Sequence, residues 1–172
     1  MLTLGILRHA EAVRDIAGRG DFERDLTPEG EAAARRLGAW MRRHGVAPDL
    51  VLTSSAVRTQ RTSELVFGAF DPEVTIVSES ALYLASPRTL LARVRQLPDS
   101  VRHLVLVGHN PGLHAFATAL VGSGPADLLA QVEDDLPTAA FVMLEIDAAR
   151  WADVQPDTAR LTDIVVPKRL ES

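Results

Sequence analysis

The chain has 172 residues, 47% of them hydrophobic and 24% charged, with a formal net charge of -5 and no cysteine. These are the proportions of an ordinary globular protein with a core of its own. The acidic balance argues against a dedicated nucleic-acid binder, and the missing thiols exclude disulfides, thiolate zinc sites and every cysteine-nucleophile mechanism.

No apolar run is long enough to span a bilayer. The N-terminal one is broken at once by Arg8-His9, unlike a secretion signal, so the expected setting is the cytoplasm with no membrane partner. The first apolar run, Leu2 to Leu7, reads as a strand, followed by a polar loop from Arg14 to Asp25 that is long for a strand-to-helix connection. Thr27-Pro28 then places a capping residue before a proline at the first helical position, and Ala33, Leu37, Trp40 and Met41 repeat at helical spacing up to a stop at Gly45. Leu50–Thr53 is a short strand, and Ser55 is positioned to cap a helix carrying Leu65, Val66 and Ala69. Val74–Val77 predicts a third strand. Ser86-Pro87 repeats the cap before a helix through Leu90, Leu91, Val94 and Leu97. His103–Val107 is the most apolar strand and therefore belongs in the middle of the sheet. A helix follows over Leu113–Val121, then a strand over Ala140–Ile146 and a weaker, edge-like strand over Ala159–Val165. The alternation predicts an α/β fold, a three-layer αβα sandwich around a mainly parallel sheet of about six strands. With no linker or repeat, one domain is expected over residues 1–172.

Two segments far apart end such strands in a histidine: Leu7-Arg8-His9-Ala10-Glu11 and Val107-Gly108-His109-Asn110-Pro111. Open α/β sheets assemble ligand sites from loops at the carboxyl ends of their strands, so the two imidazoles can meet across one pocket. A third loop, Ser54-Ser55-Ala56-Val57-Arg58-Thr59, brings an arginine to the same edge. Arginine is permanently charged and its planar fork matches phosphate oxygens. Two such charges also keep a neighbouring histidine neutral, and a neutral imidazole is a nucleophile. Arg8 and Arg58 would hold a phosphoryl group, His9 would attack it, and His109 would donate a hydrogen bond to one of its oxygens.

These three segments, in this order, resemble the histidine phosphatase (phosphoglycerate mutase-like) superfamily. The wording Gly108-His109-Asn110-Pro111, the segment Leu136-Pro137-Thr138-Ala139 and the ending Pro167-Lys168 are most similar to its SixA-like phosphohistidine phosphatase branch. The resemblance implies a phosphoglycerate mutase-like fold, a metal-independent phosphatase without cofactors, and catalytic residues His9, Arg8, Arg58 and His109, the last three also binding the phosphoryl group. The implied substrate is a phosphohistidine-containing protein. A small-metabolite phosphomonoesterase on the same fold and a catalytically weak phosphate-binding regulatory module are the alternatives. Ala10 stands where the wider superfamily has glycine, and Arg61 where a neutral or acidic residue is expected. The superfamily's general acid has only a weak counterpart, Glu79. That weakness suits a phosphoramidate, whose leaving imidazole has little need of a proton donor.

Other residues carry plainer readings. His44 caps a helix end, His103 and His114 are structural, and Glu11 caps its loop rather than orienting His9. Arg35, Arg36, Arg42 and Arg43 form a solvated helix face. Ser54 and Asn110 either donate to phosphate or shape their turns. Arg58 is preferred to Arg61 because its distance from Ser54 matches the superfamily element.

Overall fold

Alternation of apolar residues along the strands decides how the layers assemble. In the computed structural model, which describes residues 1–15 and 17–170, the elements in chain order are β1 (Leu2–Arg8), α1 (Pro28–Arg43), β2 (Leu50–Ser54), α2 (Val57–Phe67), β3 (Ile76–Glu79) and α3 (Pro87–Arg95). They continue with β4 (His103–Gly108), α4 (Gly112–Leu120), β5 (Val121–Ser123), α5 (Ala126–Asp134), β6 (Phe141–Ile146) and β7 (Ala159–Val165). The strands form one seven-stranded sheet in the order β3-β2-β4-β1-β6-β7-β5. β3, β2, β4 and β1 are mutually parallel, whereas β6 runs antiparallel to β1 and β7.

Leu2, Leu4 and Ile6 of β1 and Leu104 and Leu106 of β4 pack with Leu90, Val94, Leu113 and Phe116 on one face. Leu7, Val105 and Val107 pack with Leu37, Met41, Val66 and Phe67 on the other. Period-two alternation with both faces apolar is what a sheet buried between two helical layers requires. The sandwich is therefore α3–α4–α5, sheet, α1–α2. Gly5 lies beneath the Phe141 ring, 2.6 Å from where a Cβ would stand, so a larger residue there would push apart β1 and β6. Both cap-plus-proline signals start helices as expected. Thr27 accepts from the Gly30 amide and Ser86 from the Thr89 amide.

Several local expectations are corrected. Ser55 does not cap α2; the N-cap is Ala56, without a side-chain bond. The third strand runs two residues later than its apolar pattern suggests, because Val51 to Ser54 of β2 pair with Ile76 to Glu79. Near the C-terminus, β7 is covered by β5 at Ala159 and Arg160, so it forms the sheet edge only beyond them. The seventh strand, β5, and the helix α5 had no clear signal. β5 has only three residues, and in α5 only Val132 is fully buried, so its apolar stripe is thin. Ile16, inside the long loop after β1, and residues 171–172 lie outside the described residues. Among the described residues no helix is long and apolar enough to cross a membrane.

Candidate active site

Strand register brings the two histidines together. Arg8, at the end of β1, pairs with Gly108, at the end of β4. The residues that follow, His9 and His109, therefore leave the sheet side by side, and their ring centroids lie 5.5 Å apart. β2 reaches the same edge at Ser54, and the first turn of α2 supplies Arg58. His9, Ser54, Arg58 and His109 are all buried.

Hydrogen bonds fix the ring tautomers. His9 Nδ1 lies 2.7 Å from the Ala10 carbonyl oxygen. A carbonyl can only accept, so Nδ1 carries the proton and Nε2 keeps its lone pair. Burial, reinforced by the Arg58, Arg8 and Arg24 cations, lowers the His9 pKa to about 4 against the opposing pull of the Ala10 bond. The ring is neutral at pH 7. His109 Nε2 lies 2.7 Å from Ser54 Oγ, which also accepts the Ala56 amide at 3.3 Å. The serine hydroxyl has no other acceptor among the described residues, so its proton is assigned to Nε2, which leaves the His109 ring proton on Nδ1. Burial and then the Arg58 charge bring His109 down to about 3.

Three buried donors of this cluster, Arg8 Nε, Arg58 Nε and His109 Nδ1, find no acceptor among the described residues. Buried polar groups are nearly always paired, so three orphans beside two histidines describe a place for a ligand rich in acceptor oxygens. A tetrahedral oxyanion is such a ligand.

The backbone beneath these side chains is buttressed from β6's entry. Ala139, at φ 61°, donates its amide to the Arg8 and His9 carbonyls at 3.1 and 3.0 Å. The Leu136 carbonyl accepts from Arg8 Nη1 at 3.0 Å and from Asn110 Nδ2 at 2.9 Å. The segment Leu136–Ala139 thus props the loop that carries His9. Gly30, in the first turn of α1, approaches from the other side; a Cβ there would stand 2.2 Å from the Glu11 carbonyl oxygen.

The residues left open by sequence now have places. Ser54 holds His109, and Asn110 shapes its turn, accepting from the His114 amide as well as donating to Leu136. Glu11 accepts from Thr27 Oγ1 at 3.0 Å and does not touch His9. Arg61 faces away from the pocket, paired with Glu64 at 3.4 Å. Both Glu79 oxygens are engaged by Arg93, the shortest contact being 2.7 Å. A salt-bridged carboxylate that, among the described residues, makes no hydrogen bond or ion pair to the histidines or to Arg58 does not stand as the site's acid. His44 closes α1, its Nδ1 2.8 Å from the Trp40 carbonyl oxygen, and His114 binds the Val132 carbonyl. His103 sits at the far, amino end of β4. Arg35, Arg42 and Arg43 are exposed, whereas Arg36 is half-buried.

Sequence reasoning missed the carboxylate that does reach the cluster. Asp21 lies in a short 3-10 turn within the long loop after β1. Its carbonyl oxygen accepts from Arg58 Nη1 at 2.7 Å, its Oδ2 from Arg58 Nη2 at 2.9 Å and its Oδ1 from Arg24 Nη1 at 2.9 Å. The Tyr83 hydroxyl donates to Oδ2 as well. Led by the Tyr83 bond, with Arg24 and Arg58 adding to it, these contacts hold Asp21 well below the usual carboxylate range. The Tyr83 ring meets His109 edge-on at 5.4 Å and Phe22 at 5.1 Å. The loop's unusual length was the only available signal of this role.

Residues 4–82 match the family model of the histidine phosphatase superfamily, branch 1. An uncharacterised protein of Mycobacterium tuberculosis is 32% identical over 164 residues, spanning 94% of this chain and 100% of that one. A protein of Agrobacterium tumefaciens assigned as the phosphohistidine phosphatase SixA has a TM-score of 0.80 at 30% identity, over 95% of this chain and 97% of that one. The protein histidine phosphatase SixA complexed with tungstate shares the fold, with a TM-score of 0.79 at 20% identity over 99% and 100% of the two chains. The fold, with Arg8-His9 and Gly108-His109 at the ends of paired strands, and these likenesses define a phosphatase. The chain belongs to the histidine phosphatase superfamily, in its SixA-like branch.

Proposed function

We propose that the protein hydrolyses phosphohistidine on a partner protein through a covalent phosphohistidine at His9, without a metal ion or other cofactor. The observation that carries this reading is the neutral His9 Nε2 set beside three buried, unpaired donors on Arg8, Arg58 and His109. The Nε2 lone pair attacks phosphorus while the bond to the leaving nitrogen breaks. Charge on the equatorial oxygens is met by the two guanidiniums and the His109 N–H, which is the main requirement of phosphoryl transfer. Water then attacks the phosphorus held on His9, the P–Nε2 bond breaks with its electron pair returning to the ring, and the water oxygen and its protons leave as part of inorganic phosphate.

Two features favour a phosphohistidyl protein over a small phosphomonoester. An alkoxide leaving group needs an acid, and the two carboxylates weighed for that role, Glu79 and Asp21, are both ion-paired. The loops around the pocket also expose Val13, Phe22 and Leu84, an apolar rim suited to a protein surface. No step calls on nucleic acid or a membrane, in keeping with a cytoplasmic setting.

Labelled phosphohistidyl protein is expected to leave an acid-labile adduct on His9, and His9→Ala to abolish it together with turnover, a loss of at least about a thousandfold. An adduct that persists in His9→Ala ends this mechanism. Turnover of a sugar phosphate or phosphoglycerate far faster than of phosphohistidyl protein replaces the substrate with a small metabolite. No turnover of either these or 4-nitrophenyl phosphate would make the protein a binding module.

A further inference from the structure

We propose that Asp21 determines specificity: held over Arg58 by Tyr83 and Arg24, its carboxylate accepts the N–H of a leaving imidazole and disfavours leaving groups that depart as anions. This rests on the reading of His9 as nucleophile toward phosphohistidine. Its geometric basis is a row of four rings, His9, His109, Tyr83 and Phe22, spaced 5.5, 5.4 and 5.1 Å, running from the buried nucleophile to the exposed rim. A group displaced in line by His9 leaves on the side opposite the nucleophile, and because His9 is buried that side is the exposed rim where Tyr83 and Phe22 stand. Asp21 stands at the Tyr83 hydroxyl, with its side chain 45% exposed while that of Arg58 beneath it is 3% exposed. The carboxylate therefore lies outward of the phosphoryl clamp, where the leaving group passes.

The consequences differ by substrate. The form of a phosphohistidine that reacts without an acid is the one protonated on its second ring nitrogen, whose pKa lies near neutrality. As the new P–Nε2 bond forms at His9, the old P–N bond breaks and its electron pair stays on the departing ring nitrogen. The ring leaves neutral, and its remaining N–H is a donor that the carboxylate can accept. No proton moves to or from Asp21. An alkoxide or phenolate offers no such donor and meets a fixed negative charge instead. A carboxylate held by three cationic or hydroxyl donors is a poor acid for those leaving groups, which places Asp21 as a selector rather than a proton donor.

Asp21→Asn in the full chain tests this, assayed with phosphoimidazole and with 4-nitrophenyl phosphate. The expected result is a fall of about tenfold in kcat/KM for phosphoimidazole, from the lost charge-assisted bond, with 4-nitrophenyl phosphate unchanged or faster. Tyr83→Phe, which frees the carboxylate from one tether, is expected to shift the ratio of the two in the same direction and less. Equal losses on both substrates would overturn the proposal and leave Asp21 as a support for Arg58. Equal gains would also overturn it, since they mean only competition with the phosphoryl group for that guanidinium. A wild-type protein that makes the His9 adduct and prefers phosphoimidazole, with a ratio unmoved by Asp21→Asn, defeats this inference alone. A wild type with no His9 adduct defeats the underlying reading.

Discussion

The pocket has a floor and a rim, and the two are held in different ways. The floor consists of Arg8, His9, Ser54, Arg58 and His109, at the ends of paired strands or on the first turn of a helix, and all but Arg8 are buried. Its geometry follows from backbone register, since Arg8 cannot pair with Gly108 without bringing the two histidines together. The rim consists of Asp21, Phe22, Arg24, Tyr83 and Leu84, in loops, joined by side-chain bonds and ring contacts. Such contacts open at much lower free energy than a sheet does. On the reading proposed above, chemistry is built on the part held by the sheet, and selection among substrates on the part held by side chains.

A substitution in each region sharpens that division, and the largest effect belongs to the floor. Arg58→Ala removes a guanidinium from the phosphoryl site and is expected to lower kcat on 4-nitrophenyl phosphate by about a hundredfold to a thousandfold. Arg58→Lys should recover little, because a point charge cannot reproduce the planar fork. Phe22→Ala, on the rim, should leave that small substrate unaffected and weaken only a protein substrate. A loss on 4-nitrophenyl phosphate from Phe22→Ala as deep as that from Arg58→Ala would erase the distinction.

The same division explains what could be read from the chain. Arg8, His9 and His109 of the floor were legible because each follows an apolar run of fixed period, whereas Arg58 was legible from its distance to Ser54 in the superfamily element. Once Leu2–Leu7 and His103–Val107 are strands, the residues after them must reach the sheet edge. Both helix caps with a following proline were legible for the same local reason. The rim was not, because Asp21 reaches Arg58 across a separation of 37 residues and Tyr83 reaches Asp21 across 62. No local pattern encodes those contacts. Glu79 shows the converse failure: its place at the end of β3 was readable, but not its capture by Arg93. Ser54 and Asn110 stayed ambiguous because a polar side chain at a strand end can serve either a ligand or its own turn, and only the partner atoms decide.

Acid should act on the floor first. His9 lies at about 4 and His109 at about 3, against 6.5 for a free ring. In the unfolded chain both rings take up protons as the pH falls through 6.5, while in the folded protein they do not until much lower. The unfolded state then binds more protons, so stability declines from about pH 6.5 down to about 4 through His9 and about 3 through His109, and owes nothing to these rings above that window. His9 itself stays mostly neutral down to about pH 5. After correction for ionisation of the substrate, kcat/KM should hold down to about pH 5 and fall about tenfold per unit below the His9 pKa. Denaturant midpoints and rates measured across this range would separate the two effects. An activity limb near 6.5 would mean that His9 is not shielded as its burial and arginine neighbours require.

The mildest effect is expected at Ser54, where the floor's own support can be weakened without touching a charge. Among the described residues Ser54 Oγ is the one partner of His109 Nε2, and it also accepts the Ala56 amide at the start of α2. Ser54→Ala leaves both unsatisfied in a buried setting, a cost of about 1–3 kcal/mol for a buried polar group. The freed imidazole can then exchange tautomers and rotate, so the proton needed on Nδ1 is present only part of the time. kcat should fall by about tenfold with little change in KM for 4-nitrophenyl phosphate, because the arginines still bind the phosphoryl group. Ser54→Thr keeps the hydroxyl and should restore most of the rate if the extra methyl is accommodated. A KM effect without a kcat effect would instead mean that Ser54 contacts the phosphoryl group directly, and the line between support and ligand would have to be redrawn at this residue.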